Sequence, residues 1–528
     1  MIALTSLKIT RLRSLRKRLK NSRAFRTAAA SYLAFISTAV WGLVTISVAV
    51  SYLTKEELGV WTVVSAFLGY LVWMDLGVGG ATGRMMADSV AQRDRDEINR
   101  WWTATRAVLF CQGCLIAIIG LLLAPTLITF LNVPTNLIEE ARWVFMSGAI
   151  ITGLSLLMRG APGLLMAQER FYWVPLLQAV TPWLNLAVFY LLLRAEYGLR
   201  AYLWALAASQ AATWIAYYLL IRQSPDRPRY DRTGFERSRF RRLFGFSGNL
   251  TVIGLIDTMM ATLPALMIAR LGNLSSVPIY NFSWKGPLLL SGLVGRTYQS
   301  FYPGLQRLYV SGQTESFRKK HEQVGKITLG ISLIAAAGVL SCNSMLVHFL
   351  TGGGFYIDEY GNLWFALAMI TIPISGYFRI LMPISGNLGK NAAISVFKLL
   401  VTLGLGLFLW SEFGLTGIAA AFAFAPLFNG VYGYFRGTVN CGYARHQISH
   451  KIAIQAIISG ILVIIIGTII ANIPPDGPSI ILLDARLLIP SWQTLVLASV
   501  PLNVGIYTSC KGLSAFRIPM APETNIKS

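Results

Sequence analysis

Acidic residues are scarce. Asp and Glu number 23 in 528 residues against 46 Lys and Arg, giving a formal net charge of +23. On a soluble domain that excess would point to nucleic acid, but here the basic residues cluster in short stretches between apolar runs, which makes them a topology signal and excludes a nucleic-acid partner. Cysteine is rare too: there are five, an odd number, and no outer loop holds a pair, so a disulfide framework is excluded. Cys111 and Cys114 form a C-x-x-C inside a lipid-length run without a companion pair or histidine, and read as small apolar core residues rather than a metal or redox site. Three of the four histidines, His321, His446 and His450, sit near cytoplasmic edges and build no metal site. No Walker loop is present, so ATP is not the direct driver. No long outer loop carries the carboxylate pair that a membrane glycosyltransferase would need. The expectation is a protein that is not an enzyme and uses neither cofactor nor metal.

What the chain has in abundance is apolar sequence. Hydrophobic residues make up 55% and charged residues only 13%, and the mean hydropathy is +0.57. This composition fits an all-α polytopic membrane protein. Apolar runs of membrane-spanning length place about fourteen transmembrane helices, starting near residues 30, 57, 106, 143, 172, 200, 245, 278, 326, 362, 391, 414, 450 and 489. Ahead of the first lies a basic arm (Arg11, Arg13, Arg16, Lys17, Arg18, Lys20), followed by an apolar run without a small-residue cleavage site. It reads as a cytoplasmic arm before a retained helix. Loops after even-numbered spans are basic: Arg93, Arg95 and Arg100, then Arg222 to Arg242, then Arg318 to Lys320. Roughly 35 of the 46 basic residues fall on one side, which puts both termini in the cytoplasm. The outer loops are short and mildly acidic, as at Glu56, Glu57, Glu139, Glu140, Asp358 and Glu359.

An internal duplication divides the chain. Glu196-Tyr-Gly-Leu-Arg200 recurs as Glu412-Phe-Gly-Leu-Thr416, Arg159 as Arg379, Arg170 as Lys390, and Arg84 as Arg307, at nearly constant offset. With six spans per copy, the copies enter the membrane in the same orientation and form parallel repeats. The expected organisation is a basic arm (1–29), an N-terminal six-helix bundle (30–222), a basic linker (223–244), a C-terminal six-helix bundle (245–440), an extra helix pair (441–512) and a cytoplasmic tail (513–528).

Charges inside the spans are the candidate functional residues. Arg159 and Arg379 each lie eleven residues before a second cation, Arg170 or Lys390. On a continuous helix that spacing rises ~16 Å, so each pair would share one face with its first member near mid-bilayer. Lys285, Arg296 and Arg307 repeat the eleven-residue spacing over ~33 Å of the eighth span. A buried arginine in lipid normally faces protein or a wet cavity, so Arg159, Lys285, Arg296 and Arg379 would suit a phosphate or sugar acid. Arg84, Arg170, Arg307 and Lys390 mark the cytoplasmic edge. Asp257, two turns into the seventh span, is a candidate for proton or sodium coupling or a counter-ion to a buried arginine. Asp75 is expected to cap or brace the inner end of the second span next to Arg84.

Leu58-Gly-Val-Trp61 leading to Met74-Asp-Leu-Gly-Val-Gly79, the exit Leu165-Met-Ala-Gln-Glu-Arg-Phe171, and Asp257 with Ala269-Arg-Leu-Gly272 carry a resemblance. Over most of residues 28 to 440 the chain resembles the Wzx-type polysaccharide flippases of the multidrug, oligosaccharidyl-lipid and polysaccharide exporter superfamily. That resemblance implies two six-helix bundles around a cavity lined by cations. It further implies alternating access that moves an undecaprenyl-pyrophosphate-linked oligosaccharide across the bacterial inner membrane, beside membrane lipids and a polysaccharide polymerase and export machinery. The basic arm is not a family hallmark. A drug or cation antiporter on the same fold would want a more acidic cavity, and a membrane glycosyltransferase or polymerase is the reading from another class.

Overall fold

The computed structural model describes residues 23–224, 227–386, 388–441 and 451–472, and every regular element among them is helical. The span expected from 489, most of the basic arm and the tail 513–528 lie outside the described residues. The chain divides into two compact units, one ending at Pro278 and the other beginning at Ile279. The first holds α1 (Arg23–Tyr52), α2 (Lys55–Val72), α3 (Val78–Gln92), α4 (Arg95–Phe130), α5 (Ile138–Ser155), α6 (Gly160–Ala167), α7 (Trp173–Arg194), α8 (Arg200–Arg222) and α9 (Arg237–Leu271). The second is built from α10 (Ser276–Val310), α11 (Thr314–Thr351), α12 (Glu359–Arg379), α13 (Leu381–Ile384), α14 (Leu388–Asn440) and α15 (Lys451–Ala471).

Among the described residues, 11 helical stretches are long and apolar enough to cross a membrane, so the chain is a multi-pass membrane protein. One of them, 389–440, is interrupted at Gly414 (φ 54°, ψ −127°), where two successive spans were expected to meet. Its repeat partner Gly198 also has positive φ, 54°. Both copies of the Glu-aromatic-Gly-Leu motif are therefore turns that exploit the freedom of glycine. Helix α10 has the length of a span, but Lys285, Arg296 and Arg307 lower its apolarity.

Local chemistry sets the helix ends. Thr54 and Glu57 close a reciprocal capping box at the start of α2, with the Thr54 N–H donating to Glu57 Oε2 at 2.8 Å. Asp94 caps α4 by accepting from the Glu97 N–H at 3.0 Å. Packing in the first unit relies on small residues. Gly113 on α4 and Gly153 on α5 face each other backbone to backbone, leaving no room for a side chain at either position. In the second unit α12 is the hub: 83% of its most apolar stretch is buried, against α11, α14 and α15.

The linker after α8 is stitched down rather than left as a loose connection. The Arg229 N–H donates to Asn99 Oδ1 (2.6 Å) and the Asp231 N–H to Thr103 Oγ1 (3.0 Å). Arg100 pairs with Asp231 at 3.6 Å. Arg239 at the start of α9 forks onto both oxygens of Glu97 and lies 4.9 Å over the Trp101 ring. Hydrogen bonds from Thr233, helped by Arg100, hold the Asp231 carboxyl below its ordinary range, and the Ser238 hydroxyl, helped by Arg239, does the same for Glu236. Beyond this clamp α9 packs against α2, α3 and α4. The division between compact units therefore falls one span later than the linker.

Two outcomes follow. Gly153→Val forces α4 and α5 apart and lowers stability by about 1–3 kcal/mol, read as a lower melting temperature in detergent, whereas Gly80→Ala, with open space around it, is tolerated. Asp231 and Glu236 have depressed folded-state pKa values, so their contribution is present at neutral pH and lost as pH falls through those values. Cleavage of 227–237 by an acid-active protease stays flat above about pH 5 and rises below about pH 4.

Candidate functional site

The second span breaks at a specific place. After α2 the chain forms a short 3-10 turn, Trp73–Asp75, then two left-handed residues, Leu76 (φ 50°) and Gly77 (φ 71°), before α3 begins. A break at membrane depth frees backbone groups that need partners. Asp75 supplies one, accepting the Gly77 N–H on Oδ1 at 2.9 Å, and Gln112 of α4 donates to the Asp75 carbonyl at 3.3 Å. The other carboxylate oxygen, Oδ2, receives Arg159 Nη1 at 3.2 Å. Asp75 thus caps its turn as expected, but its identified ion-pair partner is Arg159, 84 residues away, rather than Arg84, which is exposed on α3.

Arg159 owes its position to a proline. Pro162 has no N–H to offer the Met158 carbonyl, and the helix tightens there into a 3-10 turn, Leu156–Met158, before α6. The α3 backbone approaches closely: a Cβ at Gly79 would sit 2.8 Å from the Arg159 carbonyl oxygen. Helix α6 ends at Ala167, Glu169 is left-handed (φ 57°), and Arg170 lies beyond the cap. Arg159 and Arg170 therefore do not share a helix face. Arg170 instead donates to the Leu220 carbonyl at 3.3 Å in the last turn of α8. About 30 Å of helix separates Lys55 and Ile138 from Asp75 and Arg159, which puts the pair near one edge of a hydrocarbon core of about 30 Å, not in its middle.

The second unit repeats the break. Pro383 has no N–H for the Arg379 carbonyl, and α12 stops at Arg379, with α13 and then left-handed Gly386 (φ 79°) ahead of Lys390. Here too the cations sit on separate elements. Arg379 is half-buried, its Cα against the face of Gly433, and Lys390 is exposed in the first turn of α14. On α10, Arg296 is half-buried and Arg307 exposed. Lys285 is half-buried, with no hydrogen-bond or ion-pair partner identified among the described residues. Next to it Pro287 frees the Ser283 carbonyl, which accepts from buried Asn343 at 2.9 Å. A cavity of about 430 Å³ lies there, lined by Gly286, Leu290, Cys342, Asn343 and Leu346.

Asp257 is half-buried on α9, one turn past Gly254, whose backbone meets the Trp73 indole. It rides on the helix that packs against the Trp73–Asp75 segment. Gln112 and Asn343 were not singled out from sequence, although a polar amide inside a lipid-length run was the available signal. Cys111 and Cys114 are exposed on α4 rather than in the core. Cys441 is buried, which pushes its thiol up to about 12. No group of His, Cys, Asp and Glu among the described residues could hold a metal ion.

Removing Arg159 strands the buried Asp75 carboxylate, so Arg159→Ala should destabilise more than Arg159→Ala with Asp75→Ala. A double-mutant cycle on thermal stability should give coupling of about 0.5–3 kcal/mol, and additive effects would show the pair to be energetically idle.

A search of curated proteins finds no match. Among solved structures, the lipid II flippase MurJ in an inward closed conformation aligns with a TM-score of 0.64 at 13% identity, covering 92% of this chain and 98% of that one. An inward-facing multidrug resistance MATE family transporter of the MOP superfamily aligns at 0.61 and 14% identity, covering 77% and 94%. The Vibrio cholerae MATE transporter VcmN in its bent form aligns at 0.57 and 13%, covering 80% and 98%. At these identities the likeness establishes a shared fold. The profile of the family described as polysaccharide biosynthesis protein matches residues 51–355. The chain belongs to that polysaccharide biosynthesis family and shares its fold with MurJ and the MATE family transporters.

Proposed function

We propose that this protein is a flippase that carries an undecaprenyl-pyrophosphate-linked oligosaccharide from the cytoplasmic to the outer leaflet of a bacterial inner membrane, with both termini in the cytoplasm. It acts without chemical conversion of its cargo. The observation that carries this reading is Arg159, a guanidinium at the inner end of a broken span with one edge on Asp75 and the rest of its fork available. A pyrophosphate cannot cross hydrocarbon as a bare charge, and a planar fork in a wet groove lowers that barrier while the lipid tail stays in the bilayer. Within the second unit, Arg379 at its break, with Lys285 and Arg296 on α10, would suit acidic groups of such a cargo. Membership of a polysaccharide biosynthesis family and the fold shared with a lipid II flippase support the assignment. The MATE neighbours keep a drug or cation antiporter as second reading, but the cations within the spans favour an anionic cargo.

Removing a charge-assisted hydrogen bond costs about 1.5–3 kcal/mol, so Arg159→Ala or Arg379→Ala should each lower glycan export by about 10- to 100-fold, with Arg→Lys retaining part of it. The measurement is flipping of fluorescent lipid-linked oligosaccharide in proteoliposomes. Normal flipping by folded Ala variants would sink the role of these residues, and sugar transfer by the purified protein would overturn the reading as a transporter.

A further inference from the structure

The two partners of the Asp75–Arg159 pair are unequally placed. The Asp75 side chain is 9% exposed and the Arg159 side chain 37%. Asp75 is fixed from behind by the Gly77 N–H, and its backbone is held by Gln112. Arg159 has five N–H donors, and its only identified hydrogen bond among the described residues is the one to Asp75. An anion can therefore reach the guanidinium, but as long as the carboxylate is ionised it meets a pair with no net charge.

We infer that the pair is a charge-exchange element in which a phosphate-type anion takes Arg159 from Asp75 while Asp75 binds a proton, so that anion binding and protonation favour each other. This rests on the flippase reading for the identity of the anion. The step is acid–base only. The Arg159 Nη1–H···Oδ2 contact opens, a phosphate oxygen accepts that N–H, and one proton from solvent forms an O–H bond on Oδ2. Without the proton, the departing guanidinium would leave an ionised carboxylate in a buried site, which is strongly disfavoured. By linkage the same coupling acts in both directions. The other titratable or charged groups on the surrounding elements are Tyr217 of α8, within electrostatic reach of Arg159, Asp257 of α9, itself engaged, Arg84 of α3 and Arg106 of α4. Of these groups Asp75 alone is the carboxylate hydrogen-bonded to Arg159.

The test uses purified full-length protein and the symmetric dimethyl diester of pyrophosphate, which keeps its charge across the working range. Binding is measured calorimetrically from pH 5 to 8 in buffers of differing ionisation heat. The expected result is uptake of up to one proton per anion, with affinity falling up to about tenfold per unit rise in pH. Asp75→Asn should bind with no pH slope and at least as tightly as the parent protein, Asp75→Glu should keep the slope, and Arg159→Gln should lose binding. Asp257→Asn should leave the proton uptake intact. PH-independent binding by the parent protein, or a slope that survives in Asp75→Asn or vanishes in Asp257→Asn, overturns the inference. Proteoliposome flipping separates the two ideas: flipping without proton-linked binding overturns the exchange alone, whereas absence of flipping by the folded parent protein overturns the cargo assignment.

Discussion

A backbone carbonyl or amide stranded in hydrocarbon costs several kcal/mol, so a transmembrane helix breaks only where something else satisfies the freed group. The functional candidates of this protein sit at such breaks. Asp75 and Gln112 satisfy the turn that ends α2, and Asn343 takes the Ser283 carbonyl that Pro287 leaves open. At Pro162 and Pro383 the missing N–H lies just beyond an intramembrane arginine. Each proline shortens the helix it interrupts, so that arginine and the following cation end on different elements.

The membrane spans among the described residues were legible because they are properties of composition and periodicity. Hydropathy located the helices, including the junction at Gly414, and the Glu-aromatic-Gly-Leu repeat marked two places where a glycine takes a positive φ. The eleven-residue spacing of Arg159 and Arg170 was also legible, but its interpretation assumed an unbroken helix. Glu169 in the left-handed region ends that assumption, and little in its chemistry announces it, since a cap of this kind usually uses glycine.

Long-range partners were out of reach of a single sequence. Nothing local links Asp75 to Arg159 across 84 positions, or Glu97 to Arg239 across 142. The linker 223–244 reads as a polar connection because it is basic and lacks apolar periodicity. Its counter-charges lie at the start of α4, where Glu97 reads simply as a helix N-terminal acid. Folding these onto one another ties α9 to the first compact unit, a consequence of ion pairing and stacking on Trp101 that hydropathy does not register.

The duplication also sharpens the contrast between the two copies. An arginine held in lipid by itself costs about 2.5–3.5 kcal/mol on insertion scales, and a carboxylate partner reduces that cost when its own burial is satisfied. The first copy has this solution, with Asp75 fixed by its own turn before Arg159 arrives. At the repeat offset, Asp75 corresponds to the stretch Arg296–Tyr298, which contains no acid and carries one further cation. Tyr298 instead fills the space over Gly376, one turn before Arg379. The two breaks thus differ in their electrostatic surroundings. The first pairs its arginine with a carboxylate fixed by its own turn, and the second has Lys285, Arg296 and Arg307 along α10 with no acid in the corresponding stretch.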